Sequence, residues 1–162
     1  MRLVAISGSL RSKSSNTALL QAMRDAAPAG VRLDLYDRLG ALPHFNPDLD
    51  ADSPPAVVAE LRALLLEADA VLICSPEYAH GVPGTLKNAL DWLVGAGELV
   101  GKPVVLVNAT ARSTYAQASL TETLTVMSWK VLPQVTVELW GKTIDAGEAR
   151  RALADVLREL ES

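Results

Sequence analysis

Cysteine is nearly missing from this sequence. Cys74 is the only one, which excludes an intramolecular disulfide and a CxxC redox pair. It ends the apolar run Ala70-Val71-Leu72-Ile73-Cys74, and in a buried strand a lone thiol is an inert core residue. Aromatic residues make up only 4% of the chain, so stacking on a flat ligand would be sparse. No apolar stretch approaches the roughly 18 residues that cross a membrane. The charged-then-apolar pattern of a secretory leader is also missing, and the chain enters a strand directly. There is no excess of positive charge: the net charge is −4 and the pI about 5.1, which argues against nucleic acid as the main partner. Neither GxGxxG nor GxxxxGK[ST] occurs, which disfavours a Rossmann dinucleotide site and a P-loop. The expectation is a soluble cytoplasmic protein, one domain over residues 1–162.

What is present is an alternation of two patterns. Hydrophobic residues make up 49% and charged residues 21%, enough apolar mass for a full core. Short β-branched runs at Arg2 to Ser7, Val31 to Tyr36, Ala70 to Ser75, Pro103 to Asn108 and Val131 to Leu139 read as strands, the last broken by Pro133. Between and after them, Asn16 to Ala27, Pro54 or Pro55 to about Ala68, Gly84 to Val94, Tyr115 to Trp129 and Gly147 to Leu160 carry helical spacing. Leu39 to Pro55 reads as a long loop. This βα repetition predicts an α/β fold with a parallel sheet covered by helices on both faces. Five strands in this length fit the flavodoxin-like order 2-1-3-4-5, whose switch point lies between strands 1 and 3.

The two most informative loops leave those two strands. The first is Ser7-Gly8-Ser9-Leu10-Arg11-Ser12-Lys13-Ser14-Ser15-Asn16-Thr17. An anion at the start of the following helix would gain from free N–H groups and the helix dipole. Ser9, Ser14, Ser15, Asn16 and Thr17 add side-chain donors, and Arg11 adds a bidentate charged contact. That density of donors points to a phosphate monoester. The plainer reading is a polar loop in which Ser15 or Asn16 caps the helix. The second loop runs from Pro76-Glu77-Tyr78-Ala79-His80-Gly81 through Pro83-Gly84 into a helix with Lys87, Asn88, Asp91 and Trp92. Its prolines and glycines make a rigid backbone suited to the polar edge of a flat ring. Histidine is a common acid-base group, which makes His80 a candidate, yet no second carboxylate or nucleophile is spaced beside it as a triad requires. No catalytic residue and no metal ligand is assigned. Asn88 and Asp91 read as structural supports of the loop, and Trp92 as core or interface.

Gly8-Ser9-Leu10-Arg11-x-x-Ser14-x-Asn16, paired with Pro76-Glu77-Tyr78 and Pro83-Gly84-x-Leu86-Lys87-Asn88-Ala89-Leu90-Asp91-Trp92, resembles the NADPH-dependent FMN reductase family. That family includes chromate, quinone and azo-dye reductases of flavodoxin-like fold. The resemblance covers essentially the whole chain. It implies that Ser9, Arg11, Ser14, Ser15, Asn16 and Thr17 bind the FMN phosphate. It implies that Pro76, Glu77, Tyr78 and Ala79 line the ribityl chain and ring edge. The third loop, Asn108-Ala109-Thr110-Ala111-Arg112-Ser113, would reach the pyrimidine end through Asn108, Arg112 and Ser113. Two departures stand out: many members have Asn where this chain has Ala79, and the third loop is often glycine-rich. The implied activity is ping-pong transfer from NADPH or NADH through FMN to a small acceptor such as a quinone, azo compound, chromate or free flavin. A homodimer or homotetramer is implied, with Leu86, Leu90, Trp92, Leu93 and Val94 divided between an interface and the sheet. Two other readings stay open. One is a flavodoxin-type electron carrier, against which Arg11 and the modest charge count. The other is a binding module on this fold without flavin.

Overall fold

The computed structural model describes residues 1–50, 53–139 and 142–162. Strand β1 (Arg2–Ser7) is followed by helix α1 (Ser15–Asp25), β2 (Arg32–Tyr36), α2 (Ala56–Glu67), β3 (Ala70–Cys74) and α3 (Gly84–Val94). Then come β4 (Pro103–Asn108), α4 (Thr114–Val126), β5 (Lys130–Thr136) and α5 (Ala146–Glu161). The strands form one parallel sheet of order β2-β1-β3-β4-β5, the flavodoxin-like arrangement expected from the alternation.

Side chains alternate across the pleat, so each central strand feeds both faces. Val4, Ile6, Val71, Ile73, Val104 and Leu106 pack under α2, α3 and α4. Leu3, Ala5, Leu72, Cys74, Val105 and Val107 pack under α1 and α5. Strand β3 is buried at every residue, as a central parallel strand must be. Helix α5 opens with a capping box between Asp145 and Glu148 and buries Ala149, Ala152, Leu153 and Val156.

Several boundaries differ from the expectation, each for a local reason. Ser14, not Ser15 or Asn16, caps α1: its hydroxyl accepts from Thr17 N at 3.3 Å. The expected loop from Leu39 to Pro55 contains two short 3-10 turns, Leu39–Ala41 and Pro47–Leu49, while Ala51 and Asp52 lie outside the described residues. Pro55 stands at the N-cap of α2 with extended backbone rather than in its first turn. Strand β5 does not break at Pro133. It passes it through a register shift opposite Val105 to Val107, because proline lacks the N–H a regular ladder would need. Of the α3 residues considered for an interface, Leu86, Leu90, Trp92 and Leu93 are buried in the chain's own core, and Val94 is exposed.

The polar residues of α3 hold the long 39–55 connection. Asn88 Nδ2 donates to Pro43 O at 2.9 Å, and Asn88 Oδ1 accepts from Phe45 N at 2.7 Å. Trp92 Nε1 donates to the same Pro43 carbonyl at 2.8 Å, and Phe45 packs edge-on against the Trp92 ring. Arg62 Nε donates to Trp92 O at 3.2 Å. Replacing Asn88 with Ala strands one backbone donor and weakens one acceptor, so Asn88→Ala should lower unfolding stability by about 2 kcal/mol. Urea titration checks this. A loss below about 0.5 kcal/mol at unchanged slope would show that the bonds contribute little.

Candidate functional site

The site grows out of the pairing of β1 with β3. Ser7 sits level with Cys74, and Gly8 N donates to Cys74 O at 2.9 Å, so the first loop leaves the sheet pressed against the start of the second. A Cβ at Gly8 would lie 3.0 Å from both Leu86 Cδ2 and Ser75 Oγ, so any larger residue would push these side chains aside by a few tenths of an ångström. The loop then organises itself through its hydroxyls. Ser7 Oγ pairs with Thr17 Oγ1 at 2.8 Å and accepts from Ser9 N at 3.3 Å. Ser9 Oγ accepts from Arg11 N at 3.3 Å. With Ser14 at the cap, the N–H groups of Ser15 and Asn16 open α1, where no helical carbonyl precedes them.

The second loop is a tight two-residue turn. Tyr78 N donates to Gly81 O at 3.1 Å and Gly81 N to Tyr78 O at 2.9 Å, closing it as a small antiparallel bridge. Ala79 at φ 50° and His80 at φ 58° both occupy the left-handed region, which costs a non-glycine residue roughly 1–2 kcal/mol. Two contacts oppose that strain. Glu77 Oε2 accepts from Ala116 N at 2.8 Å in the first turn of α4, where the helix dipole favours a carboxylate. The His80 ring stacks on Tyr115, with centroids 4.1 Å apart and planes 14° from parallel. His80 is thereby a packing residue.

The third loop manages without glycine. Asn108 Oδ1 accepts from Thr110 N at 3.3 Å, and Thr110 Oγ1 accepts from Arg112 N at 3.3 Å. No residue from Asn108 to Ser113 has a positive φ, so the backbone path requires none. Val137 N donates to Asn108 O at 2.8 Å and Leu139 N to Ala109 O at 3.1 Å, drawing the segment after β5 alongside.

These loops enclose a cleft of about 650 Å³ at the carboxyl end of the sheet. It is lined by Arg11, Lys13, Ser15 and Asn16 from the first loop and Pro76 and Glu77 from the second. Ala109, Thr110, Arg112 and Ser113 come from the third, and Leu139 and Lys142 from the segment after β5. Its lining includes four basic residues, Arg11, Lys13, Arg112 and Lys142, and one carboxylate, Glu77, which is held by the α4 N-terminus.

A family model described as NADPH-dependent FMN reductase matches residues 1–141. The chain belongs to that family. It is 35% identical to an NAD(P)H-dependent FMN reductase of Pseudomonas aeruginosa, over 99% of this chain and 89% of the relative. It is 37% identical to a quinone reductase of Pseudomonas putida, over 64% of this chain and 56% of the relative. The solved structure of FerB, a flavoenzyme NAD(P)H:(acceptor) oxidoreductase from Paracoccus denitrificans, matches with a TM-score of 0.75 and 28% identity, covering 99% of this chain and 95% of that one.

In this FMN reductase family member the residues expected at the cofactor divide into two groups. Arg11, Ser15, Asn16, Pro76, Glu77, Arg112 and Ser113 line the common cleft. Ser9 and Thr17 border a neighbouring groove of about 500 Å³ between α1 and β2. Ser14 borders a third hollow, toward residues 142–144. Asn108 is buried and braces the third loop, while Tyr78 and Ala79 stand exposed outside the cleft. Lys13 and Lys142 were absent from the expected set. Lys13 lies inside the first loop and could have been named from charge alone. Lys142 follows the last strand in a segment without a motif, and only the strand order brings it near. No helix among the described residues is long and apolar enough to cross a membrane, and none of their His, Cys, Asp and Glu side chains cluster as metal ligands.

Ala79 occupies the left-handed region at φ 50°. Asn tolerates the left-handed region better than Ala, so Ala79→Asn, at an exposed position, should raise stability by about 0.5–1 kcal/mol. Thermal or urea midpoints measure this, and a lower midpoint would contradict the left-handed turn.

Proposed function

We propose that this protein is an FMN-dependent NAD(P)H oxidoreductase acting on small electron acceptors, quinones among them. One observation carries the reading: loops from three strand ends, one opening a helix, converge on a single cationic cleft at the switch point of the sheet. The donor set fits a flavin mononucleotide. Arg11, Lys13, Ser15 and Asn16 at the α1 N-terminus suit a dianionic phosphate. The cleft volume falls in the range of about 300–1,000 Å³ usual for small-molecule sites.

Bound FMN would supply the redox chemistry, taking two electrons from NAD(P)H in one half-reaction and giving them to the acceptor in the next. The chain's contribution is positional and electrostatic. Pro76 and Glu77 form a wall whose backbone is held by the Glu77–Ala116 bond and the His80–Tyr115 stack. Arg112 lines the same cleft, where a cation favours negative charge on a ring edge. No protein nucleophile is invoked. A panel of NADH and NADPH against benzoquinone, an azo dye, chromate and free flavin identifies donor and acceptor.

FMN titration followed by fluorescence tests the phosphate role. Arg11→Ala should weaken binding by about 1.5–3 kcal/mol, roughly ten- to hundredfold, the scale of a charged hydrogen bond. An unchanged dissociation constant would remove Arg11 from the site. Wild-type protein that never binds FMN would overturn the proposal itself.

A further inference from the structure

Beneath the first turn of α1 lies a polar contact that joins the floor of the cleft to the sheet. Cys74, the last residue of β3, donates from Sγ to Asn16 Oδ1 at 3.2 Å. Cys74 is fully buried and Asn16 is 8% exposed, so neither group exchanges this bond freely with water. A thiol that carries its proton can donate, weakly, only to an acceptor, and the oxygen is the only good acceptor of a carboxamide. The contact therefore sets the sense of the amide. Oδ1 faces the sheet, and the Nδ2 amino group is left for the cleft that Asn16 lines.

We infer that Cys74 is a positioning residue, whose thiol orients the Asn16 carboxamide so that its amino group serves an anion seated at the N-terminus of α1. This deepens the phosphate-cradle reading and rests on it. Burial pushes the Cys74 thiol up to about 12, against an opposing backbone hydrogen bond from Ala109, so the sulfur keeps its proton and remains a donor at neutral pH. Asn16 occupies the second position of α1, where backbone N–H groups already point out of the helix end. An amino group there adds a donor, whereas the opposite orientation would set a carbonyl oxygen against the anion. With an apolar residue at 74, the buried Oδ1 would lose its partner and the amide would lose its fixed sense. The one cysteine of the chain thus acquires a role that needs no thiol reactivity.

Two substitutions of similar shape separate this role from packing. Cys74→Thr keeps a hydroxyl donor and Cys74→Val removes it. In flavin-free protein, the side-chain ¹H–¹⁵N resonances of Asn16 should stay resolved in Cys74→Thr and shift or broaden in Cys74→Val. In FMN titrations, Cys74→Val should weaken binding about five- to tenfold, the scale of one hydrogen bond, and Cys74→Thr by less than about twofold. The reverse order of affinities, valine above threonine, would overturn the inference, because a role in dry packing alone favours the apolar side chain. Unchanged Asn16 resonances in Cys74→Val would overturn it as well. If the wild-type chain binds no FMN, the cofactor reading fails by itself. The Asn16 resonances, with a titration of inorganic phosphate, then decide the orientation independently: no difference between the variants overturns the inference.

Discussion

The parallel register of β1 on β3 is the constraint on which the site depends. It sets Ser7 level with Cys74, so two loops distant in sequence leave the sheet at the same height and in contact. The Gly8–Cys74 backbone bond then seals the junction at a point where a Cβ would press on Leu86 and Ser75. A one-residue slip would turn Leu3 and Ala5 onto the wrong face and pull the two loops apart together. The two hydrophobic layers on either side of the sheet therefore stabilise the site indirectly, by fixing the register.

Around that junction the loops hold one another. The first is braced by its own hydroxyls, the second by a carboxylate and a ring stack on α4, and the third by side-chain acceptors of its own. The strain at Ala79 and His80 sits where the second loop turns back, and α4 holds Glu77 just before it and His80 within it. The cleft is therefore built from segments with few independent motions. That is the requirement for a site whose chemistry resides in a bound group.

Much of this could be read from residues alone. The alternation of β-branched runs with helical spacing led to the strand order, because a parallel sheet of this size has few right-handed solutions. Arg11 and the donors of the first loop pointed to an anion site, and of these Arg11, Ser15 and Asn16 line the cleft. Asn88 was legible as a structural residue and Trp92 as core or interface, but Asn88 holds the 39–55 connection rather than the second loop, and the Pro43 carbonyl that both engage was not foreseen. Other features were out of reach for physical reasons. Lys142 joins the cleft only because the segment after β5 pairs alongside the third loop, a long-range fact with no local signature. The cap at Ser14 rather than Ser15 depends on a single dihedral in a run of serines. The passage of β5 through Pro133 was misjudged because a bulge lets an edge strand accept a residue that a central strand would reject.

Pro133 also bears on how copies of this chain can meet. Strand β5 is one border of the sheet, and the bulge with its missing donor interrupts the ladder a foreign strand would need. The other border, β2, carries Arg32 and Asp34, paired at 2.8 Å and joined by Arg2 at 3.2 Å. Partial desolvation pushes the Asp34 carboxyl up, but hydrogen bonds from Arg32 and Arg2 outweigh it and leave a net lowering, so this charge persists at neutral pH. Both borders thus resist strand-to-strand extension. Runaway cross-β growth is therefore disfavoured at each end.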